Sequence, residues 1–149
     1  MQQKILSFLQ SQHFMAIATV SPENKPQVAT MLYVIDQDFN IYFATHSSAR
    51  KATNIAQNNA VALVIWEHNN LSIQIEGVAD AVTNPQELQT TLQKLADAAS
   101  GVPNFYPPVL RMPGQDYALF KVATQTCRYI DLKDENMKGY SAVVNEIKF

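Results

Sequence analysis

The sequence predicts a mostly-β protein, a small barrel of six antiparallel strands with peripheral helices. Two observations carry that reading. Residues 14–45 contain three short apolar runs separated only by brief polar turns, which leaves room for antiparallel neighbours alone. Helical periodicity is confined to short segments that precede, interrupt or follow the strand-like runs.

The elements follow in order. Ile5, Phe8 and Leu9 share one face at helical spacing and predict a helix over 2–12. FMAIATVS over 14–21 is a strand, and Pro22-Glu23-Asn24-Lys25 turns it into a second strand over 26–36. Asp36-Gln37-Asp38 turns again into a third strand over 40–45, completing a meander. The helix after Ser47 runs to Asn58 with Ala52, Ile55 and Ala56 facing inward, and Asn58-Asn59 ends it in the left-handed conformation Asn tolerates.

AVALVIW over 60–66 is nearly all apolar and reads as a strand buried on both faces, with Trp66 in the core. After the turn His68-Asn69-Asn70, Leu71, Ile73 and Ile75 alternate with polar residues, and Gly77 marks a bulge or a close backbone approach. Asn84 caps a helix opened by Pro85 and running to Ala99, with Leu88, Leu92, Leu95 and Ala99 as its buried stripe. Residues 100–115 hold four prolines and two glycines and form a long loop. Residues 117–132 make one bent strand or two, and SAVVNEIKF at the end suits an edge strand.

Composition narrows function. At 149 residues, with 47% apolar and 16% charged residues, the chain suits one globular domain over 1–149. A net charge of −2 argues against general nucleic-acid binding and gives no reason to invoke an anionic membrane. Cys127 stands alone, which rules out an intrachain disulfide and a cysteine metal cluster and fits a small buried side chain in a reducing compartment. His13, His46 and His68 lack metal-ligand spacing, so no metal is expected. The N-terminus does not read as a signal peptide, and no run approaches the roughly 20 apolar residues that span a bilayer, so the expectation is a cytoplasmic protein.

The richest segment is YFATHSSARKATNI over 42–55, a strand that breaks into a Ser-rich turn and opens a helix with Arg50 and Lys51 in its first turn. Cations there oppose the helix dipole, so the pattern suits a phosphate held from several sides. An ordinary N-cap by Ser47 or Ser48 followed by a solvated basic pair is the competing reading. Adjacent helical residues point about 100° apart, which lets Arg50 and Lys51 grip an anion from two directions.

Phe43, Thr45, Ser48, Arg50, Lys51, Asn54, Val61 and Ala62 form a strand end, serine turn, Arg-Lys pair, short helix and Val-Ala strand. This pattern resembles the FMN-binding split barrels of the pyridoxamine 5′-phosphate oxidase-like superfamily. The resemblance implies that Arg50 and Lys51, with Thr45, Ser47 and Ser48, hold the phosphate of flavin mononucleotide (FMN). It implies that Val28, Ala29, Thr30, Met31, Leu32 and Tyr33 run along the isoalloxazine ring, mainly through backbone groups. Ser72 or Gln74 would reach the same cofactor, according to register.

It further implies a homodimer with two cofactor sites at the interface. The loop 101–115, with Phe105, Tyr106 and Arg111, is then either a source of partner contacts or an irregular crossover held by prolines. The tail lacks the Trp and the Arg-Leu-His-x-Arg type motif of true pyridoxamine-phosphate oxidases, so the likeness is to short stand-alone members and not to vitamin B6 oxidation. The implied function is an FMN-dependent oxidoreductase acting on a small molecule. A flavin carrier or redox sensor, or a barrel using deazaflavin F420 or haem, are the alternatives. No catalytic side chain is assigned, because hydride chemistry belongs to the flavin.

Overall fold

The computed structural model of the chain describes residues 1–105, 116–133 and 144–149. In chain order the elements are α1 (Gln2–Ser11), β1 (Phe14–Val20), β2 (Pro26–Leu32), β3 (Val34–Ile35), β4 (Asn40–His46), α2 (Arg50–Gln57), β5 (Ala60–Trp66), β6 (Leu71–Ala81), α3 (Pro85–Ser100), β7 (Tyr117–Asp131) and β8 (Val144–Lys148). The strands form one antiparallel sheet in the order β2-β1-β5-β6-β7-β4-β3, with β8 added on β7. The fold class is therefore the mostly-β one expected, a curled sheet with few helices.

Its inward face carries Met15, Ile17, Ile41, Phe43, Ile65, Ile73, Ile75 and Val122, all removed from water. Burying each larger apolar side chain contributes about 1.5–3 kcal/mol. The first helix adds Ile5, Leu6, Phe8 and Leu9 to the same core. Lys4 Nζ meets the Asp131 carboxylate at 2.6 Å and ties α1 to the end of β7.

Among the described residues the sheet has eight strands where six were expected, for two reasons. The predicted second strand breaks at Tyr33. Its N–H donates to the His13 carbonyl at 3.1 Å, and its hydroxyl donates to the Leu9 carbonyl at 2.6 Å. Beyond this point the chain leaves β1 and pairs with β4 instead, Val34 opposite Tyr42 and Ile35 opposite Ile41. One apolar run thus serves two sheet edges. The second reason is β8, the edge strand that the terminal SAVVNEIKF suggested in addition to the six, which pairs with Thr126–Ile130 of β7, while β4 occupies Tyr117–Ala123 of the same strand.

Local signals placed several elements well. The first hairpin turn has Asn24 at φ 61°, and the β5–β6 turn has Asn69 at φ 55°. Asn84 Oδ1 accepts from the N–H groups of Gln86 and Glu87, both at 3.0 Å, capping α3. A bulge lies between Glu76 and Gly77.

Other expectations are corrected. The strand β5 alternates, with Val61, Leu63 and Ile65 inward, whereas Ala60, Ala62 and Trp66 are exposed on the other face. In α2 the buried residues are Ala52, Asn54 and Ile55, and Ala56 faces outward. Its C-cap, Asn58, is extended at φ −141° and not left-handed. The buried stripe of α3 is Thr91, Leu95 and Ala99, with Leu88 and Leu92 half-buried. Cys127 is fully buried, and burial pushes its thiol up to about 11.

Phe105 packs edge-on against Phe14 with ring centroids 4.9 Å apart. Tyr106 and Arg111 lie outside the described residues. Among the described residues no helix is long and apolar enough to cross a membrane.

Candidate cofactor site

The turn between β4 and α2 is held by backbone bonds rather than by serine caps. Ser47 N–H donates to the Asp116 carbonyl at 3.0 Å, and Ser48 N–H donates to His46 Nδ1 at 3.1 Å. The N-cap position falls on Ala49, which has no side chain to accept a hydrogen bond. Ser47 and Ser48 sit too early in the chain to do so. Ala52 and Thr53 both donate to the Ala49 carbonyl, at 3.0 and 3.2 Å. The N–H groups of Arg50 and Lys51, at the first two helical positions, have no acceptor within the helix.

Two cations therefore stand at an uncapped, positively polarised helix start. Lys51 is half-buried, and its Nζ reaches the Thr45 hydroxyl oxygen at 3.4 Å. Burial lowers the Lys51 pKa, and the nearby Arg50 charge lowers it further. Nothing in this arrangement stabilises α2; all of it favours an incoming anion.

A cleft of about 80 Å³ lies where α2 meets the first hairpin, lined by Ile17, Thr19, Gln27, Val28, Ala29, Arg50 and Lys51. It brings together Val28, Ala29, Arg50 and Lys51 from the expected set, with Thr45 joined through Lys51 and Ser47 and Ser48 in the adjoining turn. Sequence reasoning did not find Ile17, Thr19 and Gln27. Their signal was weak: Thr19 is a polar residue at an inward position of β1, which alternation alone marks as unusual. Asn54 belongs to the sequence motif. It is buried on α2, and its Nδ2 donates to Thr19 Oγ1 at 2.9 Å and to Gln27 Oε1 at 3.0 Å.

The remaining expected residues extend away from the cleft along β2. The hairpin is bracketed by Tyr33 N–H to the His13 carbonyl and Ser21 N–H to the Lys25 carbonyl. With alternation along the register, Gln27, Ala29 and Met31 direct their backbone groups at β1. Val28, Thr30 and Leu32 direct theirs to the open edge of the sheet, where β2 is the first strand. From Val28 to Leu32 that edge runs about 13 Å. Met31 packs inward on the core, and Tyr33 has its N–H and hydroxyl engaged elsewhere.

Ser72 and Gln74 are not brought to this cleft within the chain. They lie on the outward face of β6, opposite Trp66 and Val64 of β5. Two strands, β1 and β5, separate them from β2.

A larger groove of about 380 Å³ lies between α3 and the β3–β4 hairpin and includes Asp36, Tyr42, Glu87 and Lys94. It gathers none of the expected residues. The Asp36 carboxylate there accepts from the N–H groups of Asp38 and Asn40, from Asn40 Nδ2 and from the Tyr42 hydroxyl. It is a turn anchor.

The 80 Å³ cleft equals the share of roughly two to three waters, which suits a phosphate group and is far below the 300–1,000 Å³ of a pocket that encloses a ligand. Its charged lining residues are both cations. The donor set fits a phosphate group, and the open β2 edge adjoins it.

Comparison with known proteins bears on the family and the fold. A family model described as "Pyridoxamine 5'-phosphate oxidase" matches residues 1–131. A pyridoxine/pyridoxamine 5′-phosphate oxidase from Bacteroides thetaiotaomicron is 33% identical over 79 residues, covering 52% of this chain and 37% of that protein. One of the same name from Psychrobacter cryohalolentis is 27% identical over 159 residues, covering 100% of this chain and 71% of that protein. Among solved structures, a conserved hypothetical protein, Rv2991 from Mycobacterium tuberculosis, superposes with a TM-score of 0.77 at 19% identity, covering 94% of this chain and 90% of that one.

A structure titled F420 reductase superposes with a TM-score of 0.64 at 25% identity, covering 81% of this chain and 93% of that one. A haem-binding protein from Mycobacterium smegmatis does so with a TM-score of 0.69 at 14% identity, covering 93% of this chain and 53% of that one. Motif, curled sheet and the match over residues 1–131 together show that the chain belongs to the pyridoxamine 5′-phosphate oxidase family.

Proposed function

We propose that this protein binds FMN and acts as a flavin-dependent oxidoreductase on a small molecule. The observation that carries the proposal is the uncapped start of α2, where Arg50 and Lys51 face a phosphate-sized cleft beside the open edge of β2. Arg50, Lys51 and the free helical N–H groups would hold the phosphate. Val28, Thr30 and Leu32 would offer N–H and C=O groups to the ring. FMN, when bound, supplies hydride transfer, and the chain supplies orientation and shielding from water.

Haem fits the cleft less well, since its described lining contains no His, Cys or Met to serve as an axial ligand. Deazaflavin F420 is favoured by one observation, the likeness to a structure of that title. Its phosphate is a diester with a single charge, whereas two cations and a helix start match a dianionic monoester better. A carrier or sensor role would use the same site without turnover.

A homodimer belongs to the same proposal. The outward face of β1, β2 and β5 sets Val28 opposite Ala18, Ala18 opposite Ala62 and Ala16 opposite Val64, with Trp66 nearby. Val28 is 69% and Trp66 59% exposed in the single chain. Apolar side chains side by side on an exposed sheet face support an interaction surface there. It also explains why β5 reads as apolar on both faces. Ser72 and Gln74 share that outward face, so a second copy seated on it would bring them to the interface.

The deciding experiment is the absorption spectrum of the protein as isolated, and again after incubation with FMN and desalting, with mass spectrometry of whatever is released. Flavin bands are expected. A protein that stays colourless overturns the proposal, and release of F420 or haem replaces the cofactor.

A further inference from the structure

We infer that Gln27 is a third phosphate ligand in this cleft, held in place by Asn54 and Thr19. The inference rests on the phosphate reading of the cleft and names a contact that reading did not contain. Asn54 sits four residues after Arg50 and three after Lys51, on the buried side of α2, with 3% of its surface exposed. Asn is a mediocre helix former, and a buried carboxamide must be fully hydrogen-bonded to be tolerated. Ala or Leu would serve packing better at that position.

Both Nδ2 hydrogens of Asn54 have acceptors, Thr19 Oγ1 at 2.9 Å and Gln27 Oε1 at 3.0 Å. A simple strut between α2 and β1 would need only the Thr19 bond. The second bond takes the acceptor end of the Gln27 carboxamide. What Gln27 has left is Nε2, with two N–H donors, on a side chain that lines the cleft beside Arg50 and Lys51. The orientation is set by buried partners in the way that outer contacts orient metal or phosphate ligands.

Gln27 differs from its cationic neighbours in kind. Its donors carry no charge, so they bind phosphate oxygen without adding to the repulsion between Arg50 and Lys51. They also do not titrate. Asn54 is the positioning residue, because it bonds to Gln27 and does not itself line the cleft.

The test titrates FMN and riboflavin, which lacks the phosphate, into the wild type and the Gln27→Ala, Asn54→Ala and double variants. In parallel, inorganic phosphate is added to ¹⁵N-labelled wild-type protein while the Gln27 side-chain amide signals are followed. Gln27→Ala should weaken FMN by about two- to tenfold and leave riboflavin unchanged. Asn54→Ala should weaken FMN similarly, with little further loss in the double variant. Phosphate should shift the Gln27 amide signals.

FMN affinity unaltered in Gln27→Ala overturns the inference while the cofactor reading stands. So does equal weakening of FMN and riboflavin, which would mark a merely structural role. If the wild type ignores FMN yet phosphate shifts the Gln27 amide, the cofactor reading falls and the Gln27 contact survives. An amide unmoved by phosphate in that case overturns both. Should Asn54→Ala not fold, Gln27→Ala and the amide shifts still decide.

Discussion

Lys51 Nζ lies 3.4 Å from the Thr45 hydroxyl oxygen, so the end of β4 and the start of α2 meet through one long hydrogen bond. That contact is too weak to account for an ammonium placed beside Arg50 and partly withdrawn from water. An anion would supply what the free protein lacks. Charge-assisted bonds to phosphate contribute about 1.5–3 kcal/mol each, so Arg50→Ala and Lys51→Ala should each weaken FMN by roughly ten- to a hundredfold. Far-UV circular dichroism should be unchanged, since neither side chain belongs to the core. Isothermal titration of both variants checks this, and wild-type affinity in both would move the phosphate elsewhere.

The lowered pKa of Lys51 gives a pH dependence with a definite sign. Burial, then the Arg50 charge, disfavours the ammonium form in the free protein. A bound phosphate dianion favours that form. Affinity is therefore fully present while Lys51 is protonated and is lost as pH rises through its lowered pKa, below the ordinary lysine value of about 10.4. The phosphate is already dianionic above about pH 6 and adds no competing change. Fluorescence titrations of FMN from about pH 7 to about pH 10 should show the decline. Lys51→Arg should remove it, because a guanidinium keeps its charge. A wild-type affinity that stays flat to the ordinary lysine range would contradict the assignment.

Gly77 carries the bulge in β6 where the chain crosses β7. A Cβ built there would lie 2.9 Å from Val122 Cγ1 and closer still to the Ala123 carbonyl oxygen. The carbonyl belongs to backbone and cannot swing aside. Gly77→Ala should thus destabilise the fold by about 1–3 kcal/mol, the usual penalty of overpacking. Chemical denaturation would show a lower midpoint with little change in slope. An unchanged midpoint would mean that the two strands part easily at the bulge.

These cases mark what was legible in the sequence. Gly77, the Pro22–Lys25 turn and the Asn84 cap were readable because the cause of each is local: a missing side chain, a cluster of turn-forming residues, an oxygen aimed at nearby N–H groups. The break at Tyr33 was not. The residues on both sides of it are apolar and strand-forming, and only the arrival of β4 decides that the chain changes partner. Arg50 and Lys51 were visible as a contradiction of helix rules. Thr19 and Gln27 reach the same cleft only because β1 and β2 fold under α2, and no spacing connects residues 35 positions apart such as Thr19 and Asn54. Asn54 and not Ala56 faces inward, a shift of helical phase that a segment of only eight residues is too short to fix by periodicity.

The outward face of β5 supplies the last prediction. Ala62 lies between Ala18 of β1 and Glu76 of β6, with Trp66 at the strand's end. If a second copy covers this face, a carboxylate introduced at position 62 is buried beside the Glu76 carboxylate opposite it, with no cation in the pair, which costs about 2–5 kcal/mol at an interface. Ala62→Glu should shift the protein from dimer to monomer in sedimentation velocity, while its circular dichroism stays native because position 62 is exposed in the single chain. The variant should also lose FMN affinity, since the monomer leaves the ring along β2 open to water. A wild type that sediments as a monomer, or a variant that remains a dimer, would remove this face as the interface and leave the exposure of Trp66 without a physical account.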